Sequence, residues 1–219
     1  MDKERILVIG DIHGCLDMLK RLIDKISWQH DKDRLIFIGD FIDRGKDPKG
    51  VVDYVLSLSK CSSLVQCLIG NHEAMFMDYI SGKNHEAYLR NGGGVTLKSY
   101  LVGKSEGEES SLIPPEHMSF YQSLKKFIKL QDYYVVHAGF RPGVEIEDQE
   151  FEDMIWIREP FISSDYNFGK KVIFGHTKFS EPLIMENKIG VDTGAVYGGK
   201  LTCLELPGER LYSVGSGMF

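Results

Sequence analysis

Six side chains that could bind metal ions lie directly after short hydrophobic runs and are spread over most of the 219-residue chain. They belong to five motifs that read Gly-Asp-Ile-His-Gly, Gly-Asp-Phe-Ile-Asp-Arg-Gly, Gly-Asn-His-Glu, His-Ala-Gly and Gly-His-Thr. A mixture of carboxylate, amide and imidazole groups suits a two-metal hydrolytic site. The candidate ligands are Asp11, His13, Asp40, Asn71, His137 and His176.

Each motif is weak evidence by itself, because an isolated histidine or a capped turn is more often structural than functional. The joint pattern is more specific, since the motifs contain four of the seven histidines and each follows an apolar run. The other three histidines, His30, His85 and His117, lie in polar segments and are predicted to be surface residues.

The first three motifs follow predicted strands that alternate with predicted helices. Apolar and β-branched runs predict strands at 5–9, 35–38 and 64–69, and helical periodicity predicts helices at 16–26, 51–58 and 73–80. This β-α-β-α-β-α order predicts a parallel, buried sheet. The strands end at Gly10, Gly39 and Gly70, so the ligands fall beyond the carboxyl ends of the strands, where open α/β sheets place their sites.

The rest of the chain predicts a cap and a second sheet. Residues 82–115 are predicted to form surface loops around short helices that cap the site, and a helix is predicted at 116–128. Strands are then predicted at 133–136, 172–174, 183–185, 189–191, 201–206 and 211–214, with a hairpin tip at 186–188. We expect a second, mixed or antiparallel sheet that packs on the first, all within one domain spanning 1–219.

Composition narrows the class of protein. With 42% hydrophobic residues the chain can bury a core, and its net charge of −6 argues against binding to nucleic acid or an anionic membrane. No apolar run approaches the ~20 residues of a membrane span, and the N-terminus has no signal-peptide core. The four cysteines lack paired spacing and predict free thiols in a cytoplasmic protein, with Cys15 as a packing residue.

Taken together, the motifs resemble those of calcineurin-like metallophosphoesterases, specifically the phosphoprotein phosphatase group and its bacterial and phage lambda members. The resemblance rests on the five metal motifs and on Asn91-Gly-Gly-Gly94, Ile155-Trp-Ile-Arg-Glu159, Ile173-Phe-Gly-His-Thr177 and Val191-Asp-Thr-Gly-Ala-Val196. It covers nearly the whole chain. It implies an α/β fold of two packed mixed β-sheets flanked by helices, an α/β/β/α sandwich.

The resemblance also implies a dinuclear metal site and a mechanism. One metal would be held by Asp11, His13 and Asp40, and the other by Asp40 as a bridging ligand, Asn71, His137 and His176. A hydroxide shared by the two metals would attack phosphorus in line. Mn²⁺ is expected from the resemblance, although oxygen and nitrogen ligands also admit Fe, Zn or Co.

Further roles follow from the same resemblance. His72 would be the general acid and Asp43 would orient it, while Arg44, Arg158 and Asn71 would bind the substrate phosphate. Two alternatives remain open: Asp43 and Arg44 could form a local turn with a surface ion pair, and Arg158 could be a helix-surface charge.

The roles of four neighbouring features are less defined. Glu73 is predicted to cap its helix or to fix the Asn71–His72 loop, and Asp192 to hold a turn under the site. Arg90 and the run 92–94 could line the substrate entrance or permit a tight turn after a helix.

Three functions compete. The leading hypothesis is a phosphomonoesterase acting on phosphoserine and phosphothreonine in proteins, with phosphotyrosine activity left open. The alternative is a dinucleoside polyphosphate hydrolase of the symmetrical diadenosine tetraphosphate type, against which the presence of Asp43 and Glu73 is taken to argue. The third is a non-catalytic scaffold, which is disfavoured because none of the metal motifs is degenerate. The sequence does not predict the oligomeric state.

Overall fold

The computed structural model describes residues 4–102 and 112–217. Its first half builds three βα units, as the sequence pattern predicts. The units are β1 (Ile6–Ile9), α1 (Leu16–Ile26), β2 (Arg34–Phe37), α2 (Pro48–Cys61), β3 (Val65–Cys67) and α3 (Asn71–Ile80). The amphipathic pattern decides the packing of α1, whose apolar face is buried while its charged face is exposed.

A cap and the start of the second sheet follow. Helices α4 (His85–Arg90) and α5 (Gly93–Leu101) pack on α3 and α2. The remaining elements are α6 (Pro115–Ser123), β4 (Phe127–Lys129), β5 (Tyr133–Val136), α7 (Phe151–Trp156), β6 (Lys171–Phe174), β7 (Leu183–Ile184), β8 (Lys188–Gly190), β9 (Asp192–Thr193), β10 (Lys200–Leu206) and β11 (Arg210–Gly215).

The strands form two sheets. The first has the order β11-β10-β1-β2-β3, in which β1, β2 and β3 are parallel while β10 runs antiparallel to β1. The second has the order β4-β5-β6-β8-β7, with parallel pairs β5–β6 and β6–β8. Parallel strands place their carboxyl ends at one edge, which brings the loops after β1, β2, β3, β5 and β6 together.

The core lies in three layers. Val8 and Ile36 of the first sheet pack against Val135 and Ile173 of the second, which closes the space between the sheets. The opposite face of the first sheet packs on α1 and α2, and the outer face of the second packs on α7. The two mixed sheets flanked by helices confirm the predicted α/β/β/α sandwich.

Two predictions about the middle of the chain are wrong. The predicted helix 116–128 ends at Ser123, because Phe127–Lys129 pair with β5 as an edge strand and extend the second sheet. His117 is buried rather than on the surface, since its ring bonds Tyr100 and Asp53.

The single domain 1–219 and the cap 82–115 stay predictions, because residues 103–111 of that cap lie outside the described part of the chain. Within the described ranges 4–102 and 112–217, no helix is both long and apolar enough to cross a membrane.

Candidate metal centre and active site

The six predicted ligands all lie where the carboxyl ends of the parallel strands meet, and they are buried. Five line a cavity of about 480 Å³, and His137 lies beneath it at 0% exposure. A larger cavity of about 740 Å³ lies beside α5, but it contains none of these ligands. The smaller cavity is therefore the candidate active site.

The loops that carry the site have unusual backbones. Residues other than glycine rarely adopt positive φ, and such conformations persist only where the surroundings enforce them. At this site five residues do so: His13 (φ 45°), Asp40 (52°), Asp43 (70°), Arg44 (66°) and His176 (61°).

Close approach of two of these loops requires glycine at their start. A Cβ atom on Gly70 would collide with the Asp40 side chain, and one on Gly39 would lie 2.5 Å from the Gly70 nitrogen. The glycines that end β2 and β3 therefore let the Asp40 and Asn71 loops touch.

Asp40 lies at the centre of the ligand cluster. One carboxylate oxygen is 3.3 Å from His13 Nε2, and the other is 3.5 Å from His137 Nε2. Asn71 Oδ1 lies 3.0 Å from His137 Nε2 and 2.9 Å from His176 Nδ1. Asp40 therefore lies between two groups of side chains, and its role as a bridging ligand stays a prediction.

The protonation of the histidines fits a bound cation. His13 Nδ1 donates to the Ile42 carbonyl and His137 Nδ1 to the Ile38 carbonyl, which leaves the Nε2 lone pair of each ring facing Asp40. Metal-ligating histidines are held in their tautomers by such bonds. His176 faces the same cluster through Nδ1, which lies 2.9 Å from Asn71 Oδ1. Converging lone pairs of this kind are stabilised by metal ions.

The pKa values of the ligand cluster also indicate a site for a cation. Burial raises the pKa of Asp11 well above its usual range, and Asp192 and Asp40 add to the shift. Burial lowers the pKa of His137 to about 3 and that of His176 to about 2. Buried carboxylates beside neutral imidazoles create a site whose missing component is positive charge.

Asp11 has a second contact that links the two sheets. Both of its carboxylate oxygens accept the backbone N–H of His176, at 3.2 and 3.1 Å. The first and last ligands of the chain are therefore held together even though they lie 165 residues apart.

His72 and Asp43 form a buried pair beside the ligands. His72 Nδ1 lies 2.6 Å from Asp43 Oδ2, and neither side chain is more than 1% exposed. The ring of His72 also lies edge-on to that of His13, and His72 is close enough to His13 and Asp40 to complete a metal-binding group with them. Its predicted role as the acid, rather than as a ligand, stays a prediction.

Two residues that sequence reasoning missed complete this pair. The second oxygen of Asp43 accepts hydrogen bonds from Tyr88 Oη at 2.8 Å and Thr96 Oγ1 at 2.6 Å. Burial raises the pKa of Asp43 to about 6, while these two bonds act against that shift. Tyr88 and Thr96 belong to α4 and α5, so the cap helps to set the state of the buried carboxylate.

Glu73 fixes the loops that carry the ligands. Its carboxylate accepts the backbone N–H groups of Gly70, Asp40 and Phe41 at 3.0, 2.8 and 2.9 Å. Glu73 therefore caps α3, as one of its two predicted roles requires, and it clamps the loop after β2 rather than the predicted Asn71–His72 loop. Asp192 holds its turn as predicted, because its Oδ1 accepts the Gly194 N–H at 2.9 Å.

Both predicted phosphate-binding arginines line the cavity. Arg44 donates to His13 Nε2 at 2.7 Å, so the alternative of a surface ion pair is wrong for this residue. Arg158 lies past the end of α7 at Trp156, so it is not a helix-surface charge. Both guanidinium groups therefore lie at the ligand cluster, and their role in binding a phosphate stays a prediction.

The undecided role of the 90–94 segment is now defined. Arg90 is exposed and pairs with Glu86 at 2.9 Å, and it does not line the cavity. Gly92 has φ 97°, and a Cβ there would lie 2.8 Å from Arg44 Cγ. A Cβ on Gly93 would enter the Tyr88 ring. The glycines therefore let the start of α5 approach Arg44 and pack on Tyr88 of α4.

Comparison with known proteins identifies the family. The model of the calcineurin-like phosphoesterase family matches residues 4–197. This chain belongs to that family. It is a metallophosphoesterase, a hydrolase of a family of dinuclear metal enzymes.

Curated relatives carry a more specific name. The asymmetrical bis(5'-nucleosyl)-tetraphosphatase PrpE of Oceanobacillus iheyensis is 27% identical, over 97% of this chain and 92% of the relative. The protein of the same name from Bacillus cereus strain AH187 is 26% identical, over 96% of this chain and 94% of its own length.

Solved structures confirm the fold. A chain assigned as a diadenosine tetraphosphatase superposes with a TM-score of 0.79 and 23% identity, covering 98% of this chain and 94% of its own. A protein serine/threonine phosphatase from Saccharomyces cerevisiae superposes with a TM-score of 0.66 and 15% identity, covering 98% and 81%. At these identities the likeness concerns the fold alone.

The relatives overturn the leading functional hypothesis. The prediction of a phosphoserine and phosphothreonine protein phosphatase is wrong, because the curated relatives are named tetraphosphatases over nearly their whole length. In the sequence, the presence of Asp43 and Glu73 argues against a dinucleotide hydrolase of the symmetrical type. In the structure Asp43 supports His72 and Glu73 clamps the ligand loops. Neither contact involves the part of a substrate beyond the reacting phosphate, so these residues do not distinguish one phosphate ester from another.

Proposed function

We propose that this protein hydrolyses dinucleoside tetraphosphates asymmetrically. Water forms a bond to a terminal phosphorus of the tetraphosphate bridge, and the bond from that phosphorus to its bridging oxygen breaks. The products are a nucleoside monophosphate and a nucleoside triphosphate. The observation that carries the proposal is the near full-length match to the asymmetrical bis(5'-nucleosyl)-tetraphosphatase of Oceanobacillus iheyensis.

The ligand cluster supports a pair of divalent metal ions. We propose that Asp11, His13 and Asp40 hold one ion and that Asp40, Asn71, His137 and His176 hold the other. Mn²⁺ is our proposed metal, since the oxygen and nitrogen donors suit it as well as Fe, Zn or Co. When bound, the pair supplies Lewis acidity to the phosphate and lowers the pKa of the attacking water.

The other residues bind and orient the substrate. Arg44 and Arg158 donate to the non-bridging oxygens of one phosphate, and their fixed charge offsets the charge that develops there. Asn71 lines the same cavity and is a further contact to that phosphate. His72, oriented by Asp43, gives its proton to the leaving oxygen.

Product analysis tests the proposal. Protein loaded with Mn²⁺ and supplied with diadenosine tetraphosphate is expected to yield AMP and ATP in equal amounts by anion-exchange chromatography. Metal-depleted protein is the control and should yield neither. ADP as the sole product, or turnover of a phosphoserine peptide without turnover of the dinucleotide, would contradict the proposal. A cytoplasmic location stays a prediction.

A further inference from the structure

One exposed aromatic ring stands at the mouth of the active-site cavity. Tyr197 is 57% exposed, and it lines the same cavity as Asp11, Asp40 and Arg158. Among the large exposed hydrophobic side chains of the described residues, Tyr197 and Trp156 alone line this cavity. Trp156 packs edge-on against the ligand His176, whereas the Tyr197 ring contacts no other ring of the described part.

The turn that carries Tyr197 is held by backbone hydrogen bonds. It is a single 3₁₀ turn, Ala195–Tyr197, set between Gly194 and Gly198, which have φ of 72° and 83°. Gly194 O accepts the N–H groups of Tyr197 at 2.9 Å and of Gly199 at 3.0 Å. The buried Ala195 anchors the turn. Exposure of Tyr197 is thus a property of a well-ordered element.

Two cations lie near the ring. Lys178 Nζ lies 4.8 Å from the ring centroid, and the Arg44 guanidinium carbon lies 5.6 Å from it. Gly194 makes room for the first, because a Cβ at that position would lie 2.6 Å from Lys178 Cδ. The neighbouring Thr177 hydroxyl also lines the cavity and is buried without a hydrogen-bond partner among the described residues. Positive charge and a free hydroxyl beside an aromatic ring match a nucleoside phosphate.

We propose that Tyr197 is the platform on which one nucleobase of the substrate stacks, with Lys178 and Thr177 binding the phosphates next to that nucleoside. This inference rests on the proposed function. Arg44 joins the two subsites, since it contacts the ligand His13 on one side and the Tyr197 ring on the other. Stacking is tolerant of base identity because every base has a π face. The enzyme should therefore accept adenine and guanine dinucleotides alike.

Binding measurements separate the base from the phosphates. Calorimetry with Mn²⁺-loaded protein would compare a non-hydrolysable diadenosine tetraphosphate, with methylene bridges, against inorganic tetraphosphate. Tyr197→Ala is expected to weaken binding of the dinucleotide analogue about tenfold, and to leave binding of inorganic tetraphosphate unchanged. Tyr197→Phe keeps the ring and should bind both as the wild type does. Ile184→Ala is the matched control, since Ile184 is 59% exposed and lies outside the cavity.

Three results would overturn the inference. Equal weakening of both ligands by Tyr197→Ala would mean that the ring only positions the cations. No weakening of either would mean that the base lies elsewhere, and wild-type protein that prefers the analogue no more than inorganic tetraphosphate would exclude a base subsite. These readouts do not depend on cleavage. If the analogue binds through Tyr197 but diadenosine tetraphosphate is not cleaved, the proposed function fails while the subsite stands.

Discussion

Among single residues, Asp43 is fully buried, and its two carboxylate oxygens have different partners. One oxygen contacts His72, and the other accepts hydrogen bonds from Tyr88 and Thr96. Thr96 is used twice, since its hydroxyl also accepts the Asp43 N–H at 2.9 Å. The orientation of the His72 ring thus depends on side chains from the cap.

Thr96→Val removes a donor and an acceptor from Asp43 while keeping the shape of the side chain. We expect a loss of about 1–3 kcal/mol in the free energy of unfolding, because the Asp43 N–H loses its partner in a buried place. Urea denaturation measures this change. Thr96→Ser retains the hydroxyl and should recover most of the loss. A Thr96→Val protein as stable as the wild type would show that the hydrogen bonds between Thr96 and Asp43 do not stabilise the fold.

His72→Asn tests proton donation through the choice of leaving group. Removal of a general acid costs about 10²–10⁴-fold in rate when the leaving oxygen is a poor one, such as an alkoxide. The phosphate that leaves a tetraphosphate bridge is far less basic than an alkoxide, with a pKa of about 6. We expect a large rate loss on an alkyl phosphate and a smaller one on diadenosine tetraphosphate.

The same variant also distinguishes whether His72 acts as a general acid or as a metal ligand. Elemental analysis of His72→Asn should find the wild-type metal content. Loss of metal would show that His72 is a ligand, which its distance to His13 and Asp40 permits.

At the scale of secondary-structure elements, the packing of α5 on α4 depends on glycine at one position. Gly93 begins α5 against the Tyr88 ring, whereas an added Cβ on Gly94 meets nothing within 4 Å. Adjacent glycines of one helix therefore have opposite tolerance for a methyl group.

Gly93→Ala forces α5 away from the Tyr88 ring of α4. We expect a loss of about 1–3 kcal/mol in the free energy of unfolding from overpacking, together with reduced turnover as Tyr88 leaves Asp43. Gly94→Ala is the matched control, and it should be neutral or stabilise the protein by about 0.5–1 kcal/mol, since alanine favours a helix interior. Thermal denaturation and kinetics of both variants measure the difference. Equal changes in stability and turnover in the two variants would show that the contact between Gly93 and the Tyr88 ring does not limit the packing.

Elements and ligands that depend on local sequence could be predicted, and those that depend on distant contacts could not. The ligands Asp11, Asp40 and Asn71 follow a glycine at the end of a strand, which is a local signal. Tyr88 and Thr96 act on Asp43 across 45 and 53 residues, and no local pattern sets them apart from other buried polar residues.

The end of the predicted helix 116–128 is wrong for the same reason, because it depends on a distant contact. Residues 127–129 are a strand rather than helix because of their pairing with β5.

At the scale of the whole molecule, the ligand cluster joins the two sheets. Asp11, Asp40 and Asn71 follow strands of the first sheet, whereas His137 and His176 follow strands of the second. A metal ion held by both groups is bound by the folded chain and not by the separated sheets. Metal binding therefore adds directly to the stability of the sandwich.

Metal removal should lower the melting temperature of the protein. Occupation of one site at a hundredfold excess over its dissociation constant adds about 2.7 kcal/mol to the free energy of unfolding. Calorimetry with and without Mn²⁺ after chelation measures this increment. Asn71→Ala should reduce it, and Asn167→Ala, a change on an exposed loop, should retain it. An increment of the same size in Asn71→Ala would exclude Asn71 as a ligand.

The left-handed backbone at His13, Asp40, Asp43, Arg44 and His176 has an evolutionary consequence. Each such residue costs on the order of 1 kcal/mol relative to glycine, so the chain gives up stability to present these side chains. Arg44→Gly should therefore be more stable than Arg44→Ala by about 1 kcal/mol in urea denaturation, although both lose the guanidinium group. A descendant released from selection for catalysis would gain stability as these positions changed to glycine. Glycine at these positions in a related sequence would therefore indicate an inactive protein with a more stable fold.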